Sequence, residues 1–321
     1  MADSGAMLAR ARAAHDQGRL TEAVPLYREV LAREPGNTDA LQLLGRAMAA
    51  LGQTQQAVRL IEAAAQLQPS NPAIQANLGG ALSAAGRHAE ALSCYDRALA
   101  LQPDLAGAHR GRGMALMRVG KPAAALVSFL EAARLAPDDD QAQNGAGVAL
   151  ERLNRPDEAR RCFERALALN PRNAEAHHNL GLIEAAAGRH AEALTSIERA
   201  LALQPNQPAL HGNRGTELLA LGRRAEALAS FDHALRLAPQ DAAVHHNRGL
   251  ALASLKRHSE ALASFSSALG RSSVTRNPWR ASTRRWPATR IPRMRSTTAV
   301  QCWCGCSGPA MLSRTSRAAS P

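Results

Sequence analysis

Four asparagines, Asn77, Asn179, Asn213 and Asn247, are separated by 102, 34 and 34 residues, each a multiple of 34. A side-chain amide carries two donors and an acceptor, so amides at one repeating position can hold the backbone of an extended peptide whatever its side chains. Each such bond contributes only about 0.5–1.5 kcal/mol net, so affinity would come from several together. The other groups able to do chemistry point away from catalysis. His177/His178 and His245/His246 are adjacent pairs. Neighbours on a helix project about 100° apart, whereas two ligands for one metal need a spacing of three or four. His178 and His246 each precede an asparagine of the column, where they are expected to add polar contacts or a mild pH sensitivity. Cys302, Cys304 and Cys306, in CWCGC, are too few and too close for structural zinc, which takes four ligands, and residues 271–321 hold no histidine. Paired carboxylates, a glycine-rich phosphate loop and an activated serine or cysteine are all missing from the sequence. A non-enzyme with no cofactor and no metal is expected.

Such a column requires a chain that repeats. Pro35, Pro69, Pro103, Pro137, Pro171, Pro205 and Pro239 follow one another at a constant step of 34. With proline at position 32, eight units begin at Ser4, Thr38, Pro72, Ala106, Asp140, Ala174, Pro208 and Ala242. Position 20 is alanine in all eight, position 8 is glycine in seven, and position 15 is glycine in six, with Asn154 and Lys256 in the other two. Position 24 takes every tyrosine and phenylalanine of the chain (Tyr27, Tyr95, Phe129, Phe163, Phe231, Phe265), with Ile61 and Ile197 in the remaining units. Within 89–101, apolar Ala91, Leu92, Tyr95, Ala98 and Leu99 recur at helical spacing opposite Glu90, Asp96 and Arg97. Each unit therefore reads as two helices, the first ended by glycine at 15 and the second by proline at 32. Glycine inside a helix costs roughly 0.5–1 kcal/mol. Position 8 is thus expected to admit a close approach of the facing helix at alanine 20, with burial of the position 24 side chain contributing about 1.5–3 kcal/mol per unit.

These columns resemble the tetratricopeptide repeat, over residues 4–270. The resemblance implies an all-α fold, a right-handed solenoid of about eight 34-residue helix-turn-helix repeats forming one elongated domain, with the first helix of each repeat lining a concave groove. The sequence departs from the family at position 4, where tryptophan is favoured and Leu41, Gln75, His109, Gln143, His177, His211 and His245 stand instead. That exchange is expected to weaken one packing contact. The asparagines fall at position 6, a groove position, and His178 and His246 at position 5.

The net charge of +12 does not belong to the repeats. Ten of the 39 basic residues lie in 271–321, which has no acidic residue, leaving 29 basic against 27 acidic groups. A near-neutral array lacks the basic stripe that would displace counterions from a phosphate backbone, so no nucleic-acid partner is expected. No apolar run has signal-peptide or membrane-span length, which points to no membrane partner and a cytoplasmic location. Cys94 and Cys162, two repeats apart, are expected to be buried free thiols.

After Leu269 the pattern stops: Ser273 stands where the next proline is due, and 271–321 is rich in arginine, serine and proline and holds Trp279, Trp286 and Trp303. With 37 arginines against Lys121 and Lys256 alone, the gene is expected to be rich in G and C, and the tail reads as out-of-frame translation from near Gly270. A disordered basic tail touching an acidic surface is the alternative. The stack then lacks a polar terminal cap, so the eighth unit is expected to fray or to pair with another molecule.

The functional expectation is a non-catalytic interaction module whose concave face binds an extended segment of a partner protein. In its asparagine column the array is similar to the repeat half of O-linked N-acetylglucosamine transferases and SPINDLY-type proteins, where such a ladder guides substrates to a C-terminal catalytic domain. That likeness implies an alternative, the substrate-docking part of such a transferase. Leu43, Gly111 and Gly145 interrupt the column. A third expectation is self-association through the uncapped C-terminal repeat.

Overall fold

The computed structural model describes residues 3–272, and these fold into sixteen helices with no strand among the described residues. In order they are α1 (Ser4–Asp16), α2 (Leu20–Arg33), α3 (Thr38–Ala50), α4 (Thr54–Leu67), α5 (Pro72–Ala84), α6 (His88–Leu101), α7 (Ala106–Arg118) and α8 (Pro122–Leu135). They continue with α9 (Asp140–Arg152), α10 (Pro156–Leu169), α11 (Ala174–Ala186), α12 (His190–Leu203), α13 (Pro208–Ala220), α14 (Arg224–Leu237), α15 (Ala242–Ser254) and α16 (His258–Ser272). The helices pair into eight hairpins, an all-α solenoid. The readings of the tail, including its out-of-frame origin and the CWCGC cysteines, lie outside the described residues.

Each hairpin is cut by two local devices. The residue at position 15 adopts a left-handed backbone: Gly18, Gly52, Gly86, Gly120, Gly188 and Gly222 have φ of 74–78°, and Asn154 and Lys256 take φ of 57° and 61°. Position 34 starts the next helix. Asn37, Asn71, Asp139 and Asp241 each accept backbone N–H bonds in the first turn of α3, α5, α9 and α15, as Asn173 does from Ala176 in α11. A cap of this kind contributes about 1 kcal/mol.

The chain divides into two compact units, Met1–Ile183 and Glu184–Pro321. In the first unit, a continuous core runs from Ala11 to Ala115 and a second from Leu116 to Ile183. In the second unit, a core built on Leu194, Leu218, Phe231 and Val244 is followed by a small one around Leu228, Leu252 and Ala261.

Glycine at position 8 makes room for the position 24 side chain. A Cβ on Gly79 would come within 2.9 Å of the Tyr95 ring, on Gly113 within 2.9 Å of Phe129, and on Gly215 within 2.6 Å of Phe231. At Gly45 the position 20 backbone is close as well, with the Ala57 carbonyl at 3.3 Å. The large residue is therefore the knob and the glycine its hole. Tyr95 and Phe129 are gripped from the far side as well, because a Cβ on Gly111 would lie 2.5 Å from Tyr95 and one on Gly145 2.5 Å from Phe129. Those two glycines, which interrupt the amide column, are part of the packing between repeats.

Candidate functional site

Within the first unit the first helices of consecutive repeats touch one another, α1 with α3, α3 with α5, α5 with α7 and α7 with α9; in the second unit α13 touches α15. Within each unit, no comparable contact joins consecutive second helices among the described residues. The first helices thus form the inner layer of each unit, and residues at positions 5, 6 and 9 face along it.

All four column asparagines are half-buried there, neither turned into the core nor fully exposed. In the first unit Asn179 Nδ2 donates to Asn144 Oδ1 at 3.0 Å across to α9, and Asn144 Nδ2 donates to Glu175 Oε2 at 3.4 Å. In the second unit Asn247 Nδ2 donates to Thr216 Oγ1 at 3.3 Å. Asn144 and Thr216 are therefore site residues that the column reading missed. They stand at positions 5 and 9, so a search at position 6 alone could not find them. Asn77 lies on α5 and Asn213 on α13, each half-buried within its own unit.

The two histidines differ. His178 is half-buried beside Asn179, and burial pushes its pKa below the ordinary histidine value, so it is neutral at pH 7. His246 is exposed, its ring 5.5 Å from that of Phe265 and tilted by 54°. Their partners at position 4 do structural work that sequence reading misjudged. His109, His177, His211 and His245 place Nε2 at 2.7–3.1 Å from the carbonyl of the proline six residues earlier, and Gln75 donates to Pro69 in the same way at 3.0 Å. A carbonyl only accepts, so Nε2 carries the proton. In α5, α7, α11, α13 and α15 the tryptophan contact expected from the family is replaced by a hydrogen bond that ties the first helix to the turn before it.

Two further groups were not foreseen. Arg112, Arg214 and Arg248, all at position 7, each bridge an acid of the preceding repeat and a serine of their own. Arg112 holds Asp96 at 2.6 Å and Ser128 at 3.0 Å; Arg214 holds Glu198 at 2.9 Å and Ser230 at 2.8 Å; Arg248 holds Asp232 and Ser264, both at 2.6 Å. The signal was present as a column, arginine at 7 with serine at 23 and an acid at 25 of the repeat before. The second group is a pair of buried acids in the second unit. Glu184 stands where α3, α5, α7, α9, α13 and α15 place leucine or methionine, and accepts from Ser196 Oγ at 2.9 Å. Glu217 replaces a small core residue, and its Oε2 lies 2.7 Å from His190 Nδ1.

Of the two cysteines in the helices, Cys94 is buried and Cys162 half-buried; both are free, and burial raises both thiol pKa values. The expectation of two buried thiols holds for the first alone. Among the described residues no three His, Cys, Asp or Glu side chains are placed to hold a metal ion, and no helix is long and apolar enough to cross a membrane.

The fold and the inner face define an all-α repeat scaffold with a polar, amide-bearing surface on its first helices. Sequence profiles described as tetratricopeptide repeat match residues 14–64, 48–113, 110–161, 144–208 and 213–274, and the chain belongs to the tetratricopeptide repeat family. No curated protein matches the chain. Among solved structures it is similar to a chain of the APC/C hetero-tetramer Cut9–Hcn1, with TM-score 0.65 and 18% identity over 84% of this chain and 53% of that one. It therefore spans about half of that relative. It is also similar to a tetratricopeptide repeat protein from Parabacteroides merdae, with TM-score 0.59, 20% identity and coverage of 78% and 98%. PilF of Pseudomonas aeruginosa gives TM-score 0.59, 20% identity and coverage of 66% and 96%. At these identities the likeness is one of fold. None of these three relatives links the chain to glycosyltransferases.

Proposed function

We propose that the chain is a non-catalytic module that holds an extended segment of a partner protein against its first helices. The observation that carries this reading is the state of the amides. Asn179 and Asn247 are each fixed by one hydrogen bond to the neighbouring first helix, which leaves the second N–H and the carbonyl of each amide to meet a peptide backbone. An amide so fixed loses less side-chain freedom on binding than a mobile one. His178, neutral at pH 7, and His246 flank these positions as further polar contacts.

The test is simultaneous replacement of Asn179, Asn213 and Asn247 by alanine, with binding measured against a peptide selected on the intact chain and helicity checked by circular dichroism. Loss of binding at preserved helicity supports the reading, whereas unchanged binding moves the site to the second helices or the turns. The alternative, docking of substrates for a glycosyltransferase, requires catalytic sequence encoded downstream of the repeats. No feature of the structure favours it over the simpler module.

A further inference from the structure

Position 21 of the second helix is apolar in seven hairpins and is the exposed Arg160 in α10. Val24, Val58, Leu126, Leu194 and Leu228 are only 2–8% exposed there, but Leu262 of α16 is 67% exposed. The position 24 side chains Tyr27, Ile61, Phe163, Ile197 and Phe231 are buried, whereas Phe265 beside Leu262 is half-buried. At the other end, α1 displays the face that later first helices bury. Position 3 is buried as Ala40, Ile74, Ala108 and Ala142, and position 10 as Ala47 and Ala115, yet Ala6 and Ala13 are exposed, with Ala9 between them.

We infer that the occupant of the Leu262/Phe265 face is α1 of a second copy of this chain, joined head to tail. The joints inside the chain show that such faces fit. Phe231 is buried although Asn247, a larger residue, stands at position 6 of the following first helix, and in α1 that position is the smaller Ala9. The other element of the joints is half present. Arg10 occupies the position 7 from which Arg112, Arg214 and Arg248 reach back to an acid, and Arg10 is exposed; the residue it would reach on α16 is Ser266 rather than an acid. The joint between copies therefore forms through apolar contact without the ion pair and is weaker than those within the chain. Being heterologous, it adds copies in series and does not stop at two. The inference is independent of what the amide face binds.

Sedimentation velocity of the full chain across a wide range of concentration tests it. A weight-average size that rises with concentration is expected, lowered by Leu262→Glu and by Ala9→Glu, neither of which alters a buried position within the chain. The diagnostic variant is Ser266→Asp, which supplies the missing acid. It should tighten association by up to about fivefold at low salt, lose that gain in high salt, and lose it again when Arg10→Ala is added. A chain that is monomeric at every concentration overturns the inference. So does association that Leu262→Glu abolishes but Ala9→Glu and Ser266→Asp leave unchanged, since that result means two α16 faces pair with each other.

Discussion

Gly111→Ala in α7 probes the packing between the third and fourth repeats, and Gly107→Ala in the same helix is its control. A Cβ at Gly107 has no neighbour within 4 Å, so alanine there brings only its helix preference, a gain of up to about 1 kcal/mol. At Gly111 the new Cβ would lie 2.5 Å from both Cζ and Oη of Tyr95. The ring has little room to retreat, because it lies against Gly79 on its other side and is only 5% exposed. Overpacking of a filled site costs about 1–3 kcal/mol, so Gly111→Ala should be destabilised by about 1–2 kcal/mol despite the same helix gain. Urea unfolding followed by circular dichroism gives the comparison, and amide exchange in α6 and α7 localises it. Adding Tyr95→Ile should restore part of the loss, since it removes the ring atoms that the new Cβ would meet. Equal midpoints for Gly107→Ala and Gly111→Ala would refute the account of how the repeats interlock.

Lys256→Gly removes a left-handed lysine with φ of 61° and should raise stability by about 0.5–1 kcal/mol, read as a higher melting temperature; an unchanged or lower value would show the strain to be absent. Glu184→Leu combined with Ser196→Ala replaces a buried acid by the leucine that most other repeats use and removes its hydroxyl donor, and should stabilise the second unit by about 1–3 kcal/mol in urea unfolding, with no gain counting against it. Glu90, Glu158, Glu226 and Glu260 are held below the ordinary carboxylate pKa of 4.5 by hydrogen bonds from Arg87, Arg155, Arg223 and Arg257. Their contribution is present above pH 4.5 and is lost as pH falls through their lower folded values, so melting temperature should fall on acidification below that pH. Replacing all four by glutamine should blunt that fall, and an identical profile in the variant would show that these pairs contribute nothing measurable.

Period, helix bounds and the roles of positions 15 and 24 were legible in the sequence because each rests on one residue type whose backbone or size has a single use. Glycine at 15 reports its left-handed φ, and even the exceptions Asn154 and Lys256 obey it. What escaped were properties needing two columns at once. The arginine bridges join position 7 to position 25 of the repeat before, and the histidines at 4 serve a proline carbonyl that no side-chain pattern reveals. The amides at position 6 were visible, but Asn144 and Thr216, their partners on the neighbouring helices, were not. Glu184 and Glu217 broke apolar columns in plain view, yet the donors that make their burial tolerable, Ser196 and His190, lie elsewhere in the sequence.

The direct test of the central claim is amide exchange of the intact chain with and without a bound peptide selected on it. Added protection should fall on the first helices that carry the asparagines, α5, α11, α13 and α15, and should vanish for the variant with Asn179, Asn213 and Asn247 replaced by alanine. Protection confined to second helices, or unchanged in that variant, would contradict the claim that the inner amide face is where this protein binds its partner.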